Sequence, residues 1–220
     1  MNINSSVVLV TSAGTQLGST MARHFASLGA TVILCDKASA QLSEAYQQCC
    51  DISQSIYQFA IPDHSMDSTQ ALFDFIDQEI RRSPDVLINA ITVQAMPNIF
   101  DHSASAVFTQ RLSLMAATLF TFGQATAERM REEKKNGVIV NVISHHDYQD
   151  LSGFDNATSM VAGFTQSWAK QLTPFNIRVG GVVPAVEHDS MHWAEIQDEL
   201  IRNTEYIVSN DYFSGRVMAA

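Results

Sequence analysis

The chain has 220 residues, of which 46% are hydrophobic, and its formal net charge is −10 at pH 7. A chain of this length and apolar content can bury one sizeable core, and no linker rich in Pro, Gly or Ser divides it, so a single domain over 1–220 is expected. The acidic balance excludes most nucleic-acid and anionic-membrane binders, because Lys and Arg cluster only at 131–135.

The cysteine count and the hydropathy pattern bear on the compartment. The three cysteines are an odd number, which favours a reducing compartment over a disulfide framework. No apolar stretch approaches the roughly 20 residues of a transmembrane helix, and the polar residues 1–6 lead directly into an apolar run. The sequence therefore predicts a cytoplasmic protein with neither a signal peptide nor a spanning helix.

The first structural unit is predicted at the start of the chain. The apolar run Val7–Val10 breaks into small residues up to Gly18, a helical pattern ends at Gly29, and a second apolar run ends in Asp36. Strand, tight turn, helix and strand in this order are typical of the first βαβ unit of a dinucleotide-binding fold. The N-terminus of such a helix offers free N–H groups to a pyrophosphate.

Strand and helix patterns alternate through the rest of the chain. The predicted helices cover about 38–50, 66–81, 103–134, 155–172 and 191–208, and the predicted strands cover 56–61, 85–89, 138–143, 177–183 and 215–219. Short apolar runs separated by helices indicate strands that are covered on both faces. We therefore predict an α/β fold, with one doubly wound parallel sheet of about seven strands, Rossmann-like, and helices on both faces.

The ordered motifs resemble those of the short-chain dehydrogenase/reductase (SDR) family over essentially the whole chain. The matching segments are the turn 11–18, Asp36, 85–89, 140–144, 163–169, 177–179, Pro184 and 213–217. The resemblance implies a nicotinamide dinucleotide as cofactor, held by Thr11, Ser12, Gly14, Gln16, Leu17, Gly18, Asp36 and Asn89.

The cofactor motif departs from the family at several positions. Ser12 and Gln16 stand where the family has glycines, and Ala60 stands where an acidic residue contacts adenine. Asp36 would accept hydrogen bonds from the ribose hydroxyls and repel a 2′-phosphate, which favours NAD(H) over NADP(H). Two other outcomes stay open: Asp36 acts only as a helix cap or turn residue, and neither dinucleotide binds.

The catalytic motif departs further. In the family a tyrosine donates a proton to the carbonyl oxygen, and a lysine four residues later lowers the pKa of that tyrosine. The resemblance places these positions at Phe154 and Thr158 and the catalytic asparagine at Met115, whereas Ser144 keeps its position. The sequence therefore predicts a pseudoenzyme without standard hydride transfer, acting as an NAD(H) sensor or as an oligomerising partner subunit.

Two other functions stay open. Tyr148, with Ser144 and the histidines at 145 and 146, would serve as a substitute acid in an NAD-dependent carbonyl or alcohol oxidoreductase. A metal-assisted hydrolase would use the polar segments 145–147 and 187–192, which follow two neighbouring strands. Those segments show no fixed ligand spacing, so no metal site is predicted.

The last expectations concern the lid and the assembly. The segment at about 185–193 is shorter than the roughly twenty residues of the family's substrate lid, so the pocket would be open or absent. In the family, the two long helices pack against a partner's helices in a four-helix bundle. The apolar face of the long helix therefore predicts a homo-oligomer, a dimer or tetramer, and leaves a protein partner open; its residues are Leu114, Met115, Leu119, Phe120 and Phe122.

Overall fold

The structure, a computed structural model, describes residues 1–97, 100, 104–145, 152–185 and 193–220. Its strands are β1 Val7–Thr11, β2 Thr31–Lys37, β3 Ile56–Ile61, β4 Val86–Val93, β5 Val138–His145, β6 Arg178–Val183 and β7 Arg216–Ala219. Its α-helices are α1 Gln16–Ser27, α2 Ala40–Cys50, α3 Met66–Glu79, α4 Ala104–Glu132, α5 Phe154–Leu172 and α6 Trp193–Ser209. Within these ranges, no helix has the length and apolarity needed to cross a membrane.

The strands form one seven-stranded sheet in the order β3-β2-β1-β4-β5-β6-β7, and every neighbouring pair is parallel. The chain runs outward from β1 to β3 and then crosses back to place β4 on the other side of β1. In a doubly wound sheet, ligands bind outside the carboxyl ends of the strands at this switch point. The predicted fold class is confirmed. In this fold, a ligand site is expected at the carboxyl ends of β1 and β4.

Each face of the sheet is covered by three of the helices that the structure describes. Alternate residues of β1 point to opposite faces, so Val8 and Val10 pack with α1, α2 and α6, whereas Val7 and Leu9 pack with α3, α4 and α5. All five residues of β1 are buried. This two-sided burial explains why the central strands are continuous apolar runs rather than alternating ones.

Two strands are longer than the sequence predicts. The prediction ended one strand at Asn89 and the next at Ile143, but residues 90–93 of β4 continue to pair with 142–145 of β5. Asn89 does not end the strand because its Nδ2 donates to Oδ1 of Asn141 on the neighbouring strand at 3.0 Å, and both side chains are fully buried. The other boundaries differ only by a few residues at element ends.

Candidate functional site

The turn between β1 and α1 keeps a compact geometry without glycine at its first motif position. Ser12 adopts φ +49°, in the left-handed region that glycine favours. The Thr15 hydroxyl donates to the Ser12 carbonyl at 2.7 Å and accepts from the Gly18 amide at 3.1 Å. At Gly18 a Cβ atom would lie 2.2 Å from the Ser12 carbonyl oxygen, so only glycine fits there.

The N-terminus of α1 has free hydrogen-bond donors. Among the described residues, no protein group accepts from the amide N–H of Gln16 or Leu17, whereas Thr15 satisfies the Gly18 amide. Free N–H groups and the helix dipole together favour an anion at this end. The Gln16 side chain is exposed, and the Leu17 side chain packs into the core.

Asp36 joins the end of β2 to the same turn. Its Oδ2 accepts from the Gly14 amide at 2.9 Å, and its Oδ1 accepts from the Lys37 amide at 2.7 Å. Asp36 is not the cap of the following helix, because the Ser39 side chain fills that role by accepting from the Leu42 amide. Each carboxylate oxygen can accept a further hydrogen bond, so Asp36 remains able to bind hydroxyls beside the α1 N-terminus.

Two of the predicted cofactor residues are buried in the sheet. Thr11 is 1% exposed, and its hydroxyl lies 3.5 Å from the Ile88 carbonyl oxygen. Asn89 is fully buried and uses its amide within the sheet. Both side chains contact neighbouring strands, and the assignment of these two residues to the cofactor remains a prediction.

The positions that the resemblance assigns to catalytic residues lie on β5 and on the helices α4 and α5. Met115 and Phe154 are 7% and 8% exposed and belong to one apolar cluster. Ser144 is only 2% exposed, and its Oγ lies 3.4 Å from Oγ1 of Thr92. At the lysine position, the Thr158 hydroxyl is buried and has no hydrogen-bond partner among the described residues. Met115 and Phe154 are thus packed among apolar side chains, and the hydroxyl groups of Ser144 and Thr158 are buried.

Several predicted residues lie outside the described residues. These are Tyr148 and the 146–147 pair in one segment, and the polar residues of 187–192 with most of the short lid in another. Within the described ranges, no group of three or more His, Cys, Asp or Glu residues could hold a metal ion.

A cavity that the sequence analysis missed lies beside the turn, between the end of β4 and α4. Its volume is about 210 Å³, and it is lined by Ser12, Thr15, His64, Ile91, Thr92, Val93, Gln94, Met96, Arg111, Leu114, Met115 and Thr118. The spacing of Arg111, Met115 and Thr118 would have shown that they share one helix face. No pattern in the sequence could have placed His64 against them.

His64 has an unusual environment in this cavity. Its Nδ1 lies 2.6 Å from the Thr118 Oγ1, and its ring meets Phe122 edge-on at 5.9 Å between ring centroids. Burial lowers the pKa of His64 below its ordinary value, and the positive charge of Lys37 lowers it further, while Asp36 and Asp63 oppose the shift. The neutral imidazole is therefore favoured.

Comparison with known proteins decides the family. The short chain dehydrogenase family matches residues 6–200. The chain belongs to the short-chain dehydrogenase/reductase family. Among curated SDR proteins, the (S)-acetoin-forming diacetyl reductase of Staphylococcus epidermidis is 25% identical over 212 residues, covering 95% of this chain and 81% of the relative.

Solved SDR structures share the fold. A short-chain dehydrogenase/reductase from Mycobacterium marinum superimposes with a TM-score of 0.86 at 18% identity, covering 99% of this chain and 94% of the other. A 3-ketoacyl-(acyl-carrier-protein) reductase from Brucella melitensis, solved with NADH, gives a TM-score of 0.81 at 18% identity over 98% and 96% of the two chains. At such identities the likeness establishes the SDR fold and nothing finer.

Proposed function

We propose that this SDR protein binds NAD(H) at the N-terminus of α1 and lacks the tyrosine-dependent hydride transfer of its family, acting as a sensor or as a partner subunit. The observation that carries the proposal is the burial of Met115 and Phe154 in one apolar cluster. A phenyl ring has no proton to donate, and a thioether lacks the donor of a carboxamide. These two apolar side chains pack in the hydrophobic core at positions where the family has polar catalytic residues.

The residues that would hold the dinucleotide are those of the first βαβ unit. The N–H groups of Gln16 and Leu17 suit the diphosphate, and Asp36 suits the adjoining ribose and disfavours a 2′-phosphate. Bound NAD(H) supplies a hydride donor or acceptor. Ser12 supports this assignment, because it holds the backbone conformation that the turn requires without glycine.

The missing acid has a definite consequence for the reaction. A carbonyl oxygen that receives negative charge during reduction needs a proton, and a positioned acid contributes roughly 10²–10⁴-fold to the rate. Phe154 cannot supply that proton, and Thr158 carries no charge that could tune a neighbouring group. Hydride transfer at this centre is therefore expected to be slower by about that factor.

A second candidate function is an NAD-dependent carbonyl or alcohol oxidoreductase with Tyr148 as a relocated acid near Ser144. The names of the relatives favour this candidate, because the Staphylococcus and Brucella proteins are both reductases. The buried centre favours the first candidate. Tyr148 lies outside the described residues, so the choice between the two rests on the experiments below.

The assembly is a further part of the proposal. SDR proteins are commonly oligomeric, and α4 and α5 present an apolar groove here in which Phe120 is 49% exposed beside Trp168. At Gly123, a Cβ atom would lie 2.5 Å from the Trp168 ring, so this glycine lets the two helices approach. A homodimer or tetramer through this face would be detected by light scattering coupled to size exclusion.

NADH binding is the first test. Titration should quench or enhance NADH fluorescence in the wild-type protein, and Asp36→Asn should weaken binding by about tenfold, as expected for a lost charged hydrogen bond. Asn keeps an acceptor for the Gly14 amide, so folding should survive. The control Asp51→Asn changes an exposed carboxylate at the end of α2 and should leave binding unchanged. No signal at millimolar NADH would overturn the proposed cofactor.

Turnover is the second test. Wild-type protein should not reduce diacetyl with NADH, whereas the Phe154→Tyr/Thr158→Lys double variant should gain measurable reduction, because it restores an acid and the charge that lowers its pKa. Wild-type turnover that Asp36→Asn diminishes would contradict the non-catalytic proposal. If Tyr148→Phe then abolishes that turnover, the second candidate function is supported.

A further inference from the structure

The strand β3 forms one edge of the sheet and leaves half of its backbone groups unpaired. The Val32 amide donates to the Ser55 carbonyl at 3.0 Å, and the parallel register fixes the rest of the ladder. Because alternate residues of a parallel strand bond to the same neighbour, the N–H and C=O groups of Ile56, Gln58 and Ala60 point away from β2. Within the described ranges, no group bonds to these outward backbone groups. We call this row the outer edge of β3.

The outer edge lacks the features that protect most edge strands from pairing with another chain. Such strands are usually very short, or carry a charged residue, a proline or a bulge. β3 has six residues, and none of them is charged or a proline. The edge strand on the other side of the sheet, β7, has only four residues and begins with the exposed Arg216. β3 is therefore the edge that is open to a further strand.

Half-buried aromatic side chains lie on one face of β3, beside the outer edge. Tyr57 and Phe59 point to the face that α3 covers, and the ring of Phe59 lies 5.2 Å from the ring of Phe75 on α3, between centroids. On the α2 face, Gln58 is half-buried and Ala60 is exposed. Side chains alternate between the two faces of a strand. An added strand would therefore place apolar side chains on the aromatic face and polar side chains on the α2 face.

The helices that flank β3 are acidic. α2 and α3 pack on opposite faces of β3, and between Lys37 and Arg81 the chain has seven Asp and Glu residues and no Lys or Arg. A second copy of this chain, paired through its own β3, would bring two such acidic regions together, and like charges oppose that contact. A basic segment would be attracted by the same charges. Charge complementarity thus favours a basic partner over a second copy.

We propose that the outer edge of β3 binds an extended segment of a basic partner protein as an additional strand. The segment alternates apolar residues with Lys or Arg, so that its apolar side chains cover the aromatic face and its cations lie on the α2 face. The outer edge supplies the backbone hydrogen bonds. This surface contains neither the β1–α1 turn nor Asp36, and it is separate from the α4–α5 groove. The proposal therefore holds whether or not a dinucleotide binds.

Two labelled heptapeptides test the proposal on the full chain by fluorescence anisotropy. One alternates lysine with valine, and the other alternates glutamate with valine. The lysine peptide should bind at least about tenfold more tightly than the glutamate peptide, and its affinity should fall as salt is raised, because the flanking charges are exposed. Hydrogen exchange of the complex should show new protection at the amides of Ile56, Gln58 and Ala60.

A proline substitution tests the backbone contacts. Gln58→Pro removes one outward N–H and leaves the bonds to β2 in place, because an edge strand tolerates proline where the N–H faces away from the sheet. It should weaken the lysine peptide by at least about tenfold. Gln58→Ala keeps the N–H and should change the affinity by less than about twofold. Melting temperatures check that both variants fold.

A second variant tests the charges and leaves the backbone unchanged. Glu44→Gln/Asp74→Asn removes one exposed carboxylate each from α2 and α3 and should weaken the lysine peptide by about threefold. The matched control, Glu195→Gln/Asp198→Asn, removes two exposed carboxylates from α6, which packs on β5 and β6, and should have no effect.

Four results would overturn the proposal. These are equal affinity for the two peptides, no binding of the lysine peptide at millimolar concentration, new protection at a strand other than β3, and a homodimer in light scattering that Gln58→Pro dissociates. The last result would show that a second copy of the chain occupies the outer edge. None of them depends on the NADH titration, which reports on Asp36 and the α1 N-terminus.

Discussion

The first βαβ unit and the centre around Met115 and Phe154 have diverged in different ways. The first unit has lost glycine at position 12, yet its backbone keeps a left-handed residue there, free N–H groups and a carboxylate on the Gly14 amide. The centre keeps its place in the fold, yet Met115 and Phe154 fill it with apolar side chains. Under the proposed function, the first region would keep the geometry of a dinucleotide site, and the second would lack the acid of the family's reaction.

The difference follows from which atoms each function uses. An anion site at a helix N-terminus is built from backbone amides, so it persists as long as the turn folds. Proton transfer needs particular side chains, and replacing them with apolar residues costs the fold nothing and even adds buried surface. An SDR chain can therefore lose its reaction while it keeps the sheet and the turn.

The largest predicted effect concerns the apolar centre. Met115→Ala should lower the free energy of unfolding by about 3 kcal/mol, because a buried methionine loses its packing and leaves a cavity. Leu114→Ala, one residue earlier on α4, should cost well under about 1 kcal/mol, since Leu114 is 57% exposed. Urea denaturation of both variants gives the comparison. Equal small losses would show that the centre is not part of the core.

A second prediction tests whether the turn is as rigid as its contacts indicate. Gly18→Ala should destabilise the protein by about 2 kcal/mol, because overpacking against a backbone oxygen outweighs the better helix propensity of alanine. It should also abolish NADH binding by distorting the α1 N-terminus. Urea denaturation and the NADH titration measure the two effects.

The control for Gly18 lies on α5. Gly163 has no atom within 4 Å of an added Cβ, so Gly163→Ala should stabilise the protein by about 0.5–1 kcal/mol through helix propensity alone. If Gly18→Ala stabilised the protein as Gly163→Ala is expected to, the turn would tolerate a Cβ atom at position 18. The argument that the turn has kept a rigid geometry would then be weaker.

The strands and helices could be predicted because each apolar run is covered on both faces and each helix begins or ends at a recognisable residue. The strand Ile56–Ile61 was predicted with its observed bounds. The C-terminal end of β4 was predicted four residues too early, because a polar residue such as Asn89 after an apolar run indicates the end of a strand when the sequence is considered alone. Its partner, Asn141, lies 52 positions away, and only the sheet brings the two amides together.

The candidate site was predictable only in part. Asp36 could be placed at the carboxyl edge of the sheet from the apolar run that precedes it, but its bond to the Gly14 amide depends on the turn's conformation. The cavity was missed because Arg111 and His64 come from separate elements, and because the role of His64 depends on a hydroxyl that a helix carbonyl already engages. Such a hydrogen-bond chain leaves no pattern in the sequence.

The smallest predicted effect concerns His64, which lies between the two regions. Its lowered pKa means that, as pH falls below about 6.5, the unfolded chain takes up a proton before the folded chain does. Stability should therefore fall as pH drops from about 7.5 toward the folded-state pKa, and the melting temperature should fall with it. Lys37 adds to this loss, whereas Asp36 and Asp63 oppose it.

His64→Gln removes the titrating group and keeps a donor for Thr118, so its melting temperature should decline less than that of the wild type over the same acid range. Differential scanning fluorimetry at matched ionic strength measures both slopes. A control variant, Lys37→Gln, removes the nearby positive charge and should reduce the pH dependence without abolishing it, because burial is the larger cause of the shift. Parallel slopes for wild type and His64→Gln would mean that the imidazole is solvated in the folded protein. In that case the His64 ring would not be held in the wall of the cavity between β4 and α4 in solution.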